Sequence, residues 1–263
     1  MANLWRWVGL GATAAMIAAC SSADSDAPGS GGSTGSATSG PSAGGNQASG
    51  GGGMGQGASD EYVTLFDGTL TDDWRMSSII NQPGQDNPGH FEVHDGALIS
   101  VPGTDLGLLW NTRPTPADFV LELEFRLSAP DDNSGVFVRF PDLEGFGYNN
   151  TAWVAINFGF EVQIDETGSP DGADVHTTGA IYGEMGQSFT RVEARPQGMW
   201  NAYEIRVEGQ VYSVRLNGQD VTRFENPHHD RGLASTPSTP SFLGLQTHSG
   251  NVAFRNIRIR ALP

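Results

Sequence analysis

The chain has 263 residues, with 14 Lys+Arg against 30 Asp+Glu and a formal net charge of −16. No Lys occurs anywhere, which excludes Schiff-base catalysis by a lysine, and the acidic balance has the wrong sign for a nucleic-acid partner. The one cysteine, Cys20, excludes an internal disulfide, so any folded domain must hold by packing.

Residues 1–20 read as a secretion signal: Arg6 is the only charged side chain, an apolar run follows from Trp7 to Ala19, and the segment closes on "IAAC". That run is about 13 residues, short of the ~20 a spanning helix needs. "IAAC" resembles the lipobox of bacterial lipoproteins, which implies cleavage before Cys20 and a lipid on that residue. The chain is therefore expected to be membrane-tethered at the cell envelope, on the outer membrane or facing the periplasm. Residues 21–60 are mostly Gly, Ser, Ala and Thr and form a flexible tether, with an r.m.s. reach of roughly 35 Å. Residues 61–263 are left for a single domain.

Within that domain the period is two almost throughout. Strands are predicted at "YVTLF" (62–66), "HFEVHDGALISV" (90–101), "DFVLELEFRL" (118–127), "SGVFVRF" (134–140) and "FEVQID" (160–165). Further strands follow at "NAYEIRVEG" and "QVYSVRLNG" (201–218), "SFLGLQTH" (241–248) and "NVAFRNIRIR" (251–260). "EGQ" at 208–210 makes a hairpin of the two strands around it, and Asn217-Gly218 is a turn signal that ends the second. So many short antiparallel strands predict an all-β, two-sheet sandwich of jelly-roll kind.

Alternation also sorts the side chains. Phe119, Leu121, Leu123, Phe125 and Leu127 are expected in the core, with Glu122, Glu124 and Arg126 opposite. Val136, Val138 and Phe140 are expected to pack while Phe137 and Arg139 look outward, and Gln246 and His248 oppose Leu243, Leu245 and Thr247. In "GFEVQIDETG" the polar Glu161, Gln163 and Asp165 share one face. That face is either the wet side of a strand, where cross-strand Glu and Arg pairs are routine, or the floor of a site to which neighbouring strands add Glu124, Arg139 and His248. His176 and Tyr182 fall in the loop "DGADVHTTGAIYG", where function concentrates. Trp74, Trp110, Trp153 and Trp200 are expected mostly in the core.

A series of pieces, "LFDGTLTDDW", "FEVHDGALIS", "ELEFRLSAPDDNSGVFVRF", "FEVQIDETG", "TGAIYG", "WNAYEIRVEG", "VRLNG" and "GLQTHSGNVAFRNIRIR", runs in order over nearly the whole domain. Together they resemble the 3-keto-disaccharide hydrolase family. The resemblance implies a concanavalin A-like jelly roll acting on a small carbohydrate, a glycoside oxidised at C3. A ketone at C3 acidifies the C2 proton, so a base can remove it, the aglycone leaves from C1, and water adds afterwards. Such a site needs a base, an acid near the glycosidic oxygen, and donors for the developing enediolate. Glu161, Asp165 and Glu124 are the candidate bases and His176 or His248 the candidate acid/base, while Arg139, Gln163, Gln246, His248 and Tyr182 are candidate substrate contacts. Glu161 and Asp165 also offer hard oxygens to a divalent cation, Ca²⁺ or Mg²⁺. Two rival readings are a laminarinase-like glucan hydrolase and a non-catalytic carbohydrate-binding module. The first is weakened by Gln163 and the short Asp165, since residues i and i+4 stand ~13 Å apart along a strand and retaining glycosidases hold their carboxyls ~5.5 Å apart.

Overall fold

The computed structural model describes residues 61–80 and 87–263; the signal, Cys20 and the tether lie outside the described residues. The chain order is β1 (Val63–Phe66), β2 (Trp74–Met76), β3 (His90–His94), β4 (Ala97–Val101), β5 (Gly107–Asn111), β6 (Phe119–Leu127) and β7 (Ser134–Phe140). It continues with helix α1 (Ala152–Phe158), β8 (Phe160–Ile164), β9 (Ser188–Phe189), β10 (Asn201–Glu208), β11 (Val211–Leu216), β12 (Gln219–Glu225), β13 (Phe242–Thr247) and β14 (Val252–Ala261). A nine-stranded antiparallel sheet runs β3-β4-β14-β6-β10-β11-β12-β9, with β1 also on β14, and a five-stranded sheet runs β2-β5-β13-β7-β8. The two form the expected sandwich.

Alternation builds the core between the sheets. Leu121, Leu123 and Phe125 from β6 and Tyr203, Ile205 and Val207 from β10 meet Val136, Val138, Val162, Leu243 and Leu245 from the smaller sheet. Each fully buried apolar side chain of this kind contributes roughly 1.5–3 kcal/mol. Two hairpins share a left-handed turn: Asn217 and Gly218 (φ 52° and 80°) lead β11 into β12, and Asp95 and Gly96 (φ 50° and 73°) split "HFEVHDGALISV" into β3 and β4. Both pairs suit a type I′ turn, where φ is positive at both central residues.

The smaller sheet is covered on its second face too. Leu108, Trp110, Phe137, Phe140 and Phe242 pack there beneath Ala152, Val154 and Ala155 of α1, the one α-helix among the described residues. This corrects one exposure and one orientation. Phe137 is buried at 1% exposure, and Phe140 lies on that outer face, not with Val136 and Val138. Phe137 is buried by that cover, and Phe140 is reversed by Arg139, which takes φ 54° where the β7–β13 register slips between Phe242 and Leu243. A bulge of this kind inserts one residue and moves every later side chain to the opposite face.

Candidate functional site

The site grows from β7, β8 and β13, adjacent strands in the smaller sheet. Phe137 pairs with Glu161 and Gly135 with Gln163, while Leu245 pairs with Val136 and so sets Gln246 beside Gly135. Glu161, Gln163 and Gln246 therefore share the outer face, beyond the part that α1 covers. Gly135 makes room among them: a Cβ there would come within 2.1 Å of Glu161 Oε1. A glycine inside a strand marks this kind of close approach.

Glu161 is buried, and its carboxyl is pushed up to about 8 from an ordinary 4.5. Loss of water is the main cause, and it is opposed by the charge of Arg231 and by a hydrogen bond from Gln246. Among the described residues Glu161 Oε1 has no hydrogen-bond partner. Gln163 turns its Oε1 back to accept from the Ile164 N–H at 3.2 Å, which directs its amide N–H₂ away from that bond. His248 follows Gln246 on the same alternation, and its imidazole is held below the ordinary value by burial, against the opposing charge of Asp165.

Asp165 does something different from Glu161. Its Oδ1 accepts from Thr167 N (2.7 Å), Thr167 Oγ1 (2.6 Å) and Gly168 N (3.1 Å), and its Oδ2 from Ser169 N and Asn133 Nδ2 (both 2.9 Å). These five donors tie down the start of the loop that returns along β8. Gln163 N–H, Gly179 N–H and Tyr182 N–H then bond across to Ala180 O, Gln163 O and Glu161 O, making residues 178–182 an extra edge on the sheet. Gln187 staples the next turn through Ile181 and the Glu184 carbonyl. Tyr182 is thereby held at the site. Its hydroxyl is raised by burial and then by the charges of Glu161, Asp165 and Asp171, and its ring packs 4.8 Å from that of His176. His176 Nδ1 meets Asp171 Oδ1 at 2.7 Å, an orienting bond that leaves Nε2 to other partners.

The structure thus gathers Glu161, Gln163, Gln246, His248, Tyr182 and His176, with Asp165 as the knot beneath the loop. Glu124 and Arg139 lie elsewhere. Glu124 belongs to β6 of the other sheet and faces away from the core, bonded to Arg255 (2.6 Å) and Asn256 (2.7 Å). Arg139 is buried and swung by its bulge to the Ala117 and Gly209 carbonyls and to Asp118 at 3.0 Å. Four residues went unread in the sequence: Gly135, Asn133, Arg231 and Glu184. Arg231 donates to Gly159 O (2.7 Å), Ile156 O (3.2 Å) and Glu184 Oε1 (2.9 Å), which fixes a positive charge near Glu161. The lone glycine in "SGVFVRF" was a usable signal for Gly135, whereas the Arg231 contacts span 47 to 75 residues and leave no local mark.

Glu161 and Asp165 do not fit a divalent cation as a pair, because both Asp165 oxygens already accept backbone and side-chain donors. Among the described residues no three His, Cys, Asp or Glu side chains come together to hold a metal ion.

Two solved structures share this sandwich, each described as a "putative glycosyl hydrolase" from Parabacteroides distasonis ATCC 8503. One is 26% identical with a TM-score of 0.54 and the other 21% identical at 0.57; the match covers 77% of this chain in both and 100% and 94% of those chains. The class is a carbohydrate-acting jelly roll of concanavalin-like form. Over residues 61–260 the sequence matches the family described as the 3-keto-alpha-glucoside-1,2-lyase-like domain, and the chain belongs to that family. No curated protein matches it.

Proposed function

We propose that this domain cleaves the glycosidic bond of 3-keto-glycosides or 3-keto-disaccharides by elimination across C1 and C2, followed by hydration. The observation that carries the reading is Glu161, a buried carboxylate raised to about 8, with a free oxygen over Gly135, in a family described as 1,2-lyase-like. A base of this strength suits a carbon acid beside a ketone, because proton transfer is most effective when the base's pKa lies near the working pH.

In this mechanism Glu161 takes the C2 proton, and the electron pair of that C–H bond moves into the ring to give an enediolate with its charge on the C3 oxygen. The Gln163 amide donates to that oxygen. As the C1–O bond breaks, the leaving oxygen takes a proton from His176, oriented by Asp171, and an enone remains for water to add to. Tyr182 and His248 hold the ring from the loop and from just past the end of β13, and Arg231 keeps Glu161 able to ionise. A lipid on Cys20, which the "IAAC" motif supports, would keep this activity at the cell envelope.

The test is incubation of the protein with a 3-keto-glucoside, the unoxidised glucoside and a polymeric β-glucan, following aglycone, reducing ends and enone absorbance. Release from the 3-keto-glucoside alone is expected, in the presence or absence of EDTA. Cleavage of the β-glucan would favour a glucan hydrolase, and binding without cleavage of any substrate would favour a binding module; either would overturn the reading.

A further inference from the structure

Beside Glu161, the outer face of the smaller sheet holds two more buried acceptor oxygens without partners among the described residues: Asn133 Oδ1 and Gln246 Oε1. Asn133 stands two residues before Gly135 and shares its face by alternation, while Gln246 stands beside Gly135 on β13. Both are buried, at 7% and 4% exposure. Asn133 Nδ2 is already directed elsewhere, to Asp165 Oδ2 at 2.9 Å, and the Gln246 amide lies close enough to the Glu161 carboxyl to favour its ionised form. The oxygen ends are thereby fixed as acceptors. A buried acceptor with no donor is costly enough that native interiors keep few of them, and three in one patch, gathered where the missing side chain of Gly135 lets the Glu161 carboxyl lie against the sheet, call for a ligand rich in donors.

We propose that Asn133 and Gln246 form a hydroxyl-reading subsite beside Glu161, accepting hydrogen bonds from the hydroxyl groups that a C3-oxidised hexose ring retains. This deepens the reading above and rests on it. Oxidation at C3 removes one hydroxyl from the ring and leaves those at C2, C4 and C6. C2 carries the proton that goes to Glu161, so the hydroxyls at C4 and C6 are the ones for Asn133 and Gln246. The site then separates two tasks: acceptors hold the hydroxyls that do not react, and the Gln163 amide, a donor, meets the one oxygen that has become a carbonyl. An unoxidised sugar would set a hydroxyl against that amide and lack the acidified C2 proton.

The experiment compares a 3-keto-glucoside with its 4-deoxy and 6-deoxy analogues on the wild-type protein, on Asn133→Leu and on Gln246→Met, with thermal melts to confirm folding. In the wild type at least one deoxy analogue should lose roughly 10- to 100-fold in kcat/KM, mostly through KM, the range expected for a buried acceptor left unpaired. One variant should lose about as much on the parent substrate and show no further loss on the matching analogue, because the interaction is already gone. Equal turnover of parent and both analogues by the wild type would overturn the subsite while leaving the 3-keto reading intact. So would losses that multiply in the variants. No turnover of the parent 3-keto-glucoside would overturn both. Turnover lost to EDTA and restored by Ca²⁺, with Asn133→Leu raising the Ca²⁺ needed, would assign these oxygens to a cation instead.

Discussion

Replacing Glu161 with Gln should make the protein more stable and nearly inactive, and the stability gain should depend on pH in a way that tests the burial of this carboxyl. In the folded protein the group titrates at about 8 instead of 4.5, with burial as the main cause. The folded state therefore holds this proton more tightly than the unfolded chain. Below about pH 4.5 the carboxyl is neutral in both states and contributes no difference. Between 4.5 and 8 the unfolded chain releases the proton while the folded one keeps it, so wild-type stability falls as pH rises, by ~1.36 kcal/mol per unit. The accumulated loss is about 3 kcal/mol at pH 7 and roughly 4–5 kcal/mol above pH 8. Gln is nearly isosteric and does not ionise, so the variant escapes the loss. For a domain of this size 1 kcal/mol corresponds to ~2–4 °C, so Glu161→Gln should melt roughly 6–12 °C above wild type at pH 7 and near it at pH 4.5. Scanning calorimetry from pH 4.5 to 9 reads this directly. In parallel, wild-type kcat/KM should climb through pH 6–8 as the base ionises, and Glu161→Gln should lose on the order of 10²–10⁴-fold. A difference in melting temperature that stays constant with pH would refute the argument, because it would mean that Glu161 ionises as freely in the folded protein as outside it.

Gly135→Ala places a methyl 2.1 Å from Glu161 Oε1; it should displace the carboxyl, cost about 1–3 kcal/mol by denaturant unfolding and cut kcat by more than 100-fold. Glu124→Gln touches a partly exposed pair with Arg255 and a bond from the exposed Asn256 and should change stability by less than ~1 kcal/mol with kcat/KM unaltered; a large loss of activity would bring β6 back into the mechanism. Arg139→Met removes the donors to Ala117, Gly209 and Asp118 and should cost about 3 kcal/mol while the folded fraction keeps its kcat/KM, as urea melts and assays on the same samples would show.

Local rules carried most of the architecture. The faces of β6 and β10 follow period-two alternation because nothing interrupts it, and the β10–β11 hairpin follows from the turn residues between its strands. "HDGA" held the same kind of turn signal as "LNGQ", yet the longer run of apolar residues around it disguised β3 and β4 as one strand. Failures came where a single backbone angle or a distant contact decides the outcome. Arg139 at φ 54° reverses Phe140, a left-handed residue that no apolar pattern announces. The charge on Glu124 looked like that on Glu161 because alternation tells which residues share a face but not which sheet they join. Asp165 was half legible: "DETGS" carries an Asp with a Thr two residues on and a Gly three on, the composition of a local side-chain-to-backbone turn, and that competes with any part as a free carboxylate.

The same physics separates the site from its surroundings. β7 and β8 are buried along their whole length, one face by the sandwich core and the other by α1 and the returning loop. Polar side chains survive in such a place only when their partners are built in, as Asp165 with its five donors illustrates. Glu161 lies on the same face, one alternation beyond Gln163, and has the opposite treatment: a glycine opens space beside it, an arginine too firmly held to neutralise it directly lies nearby, and one oxygen is left without a partner. Packing alone would favour Gln or an apolar residue there, since the burial of this carboxyl destabilises the native state by several kcal/mol above pH 8. A residue kept at that cost, surrounded by groups that shape its basicity without satisfying it, is better explained by a proton it must accept than by any contact it makes in the resting protein.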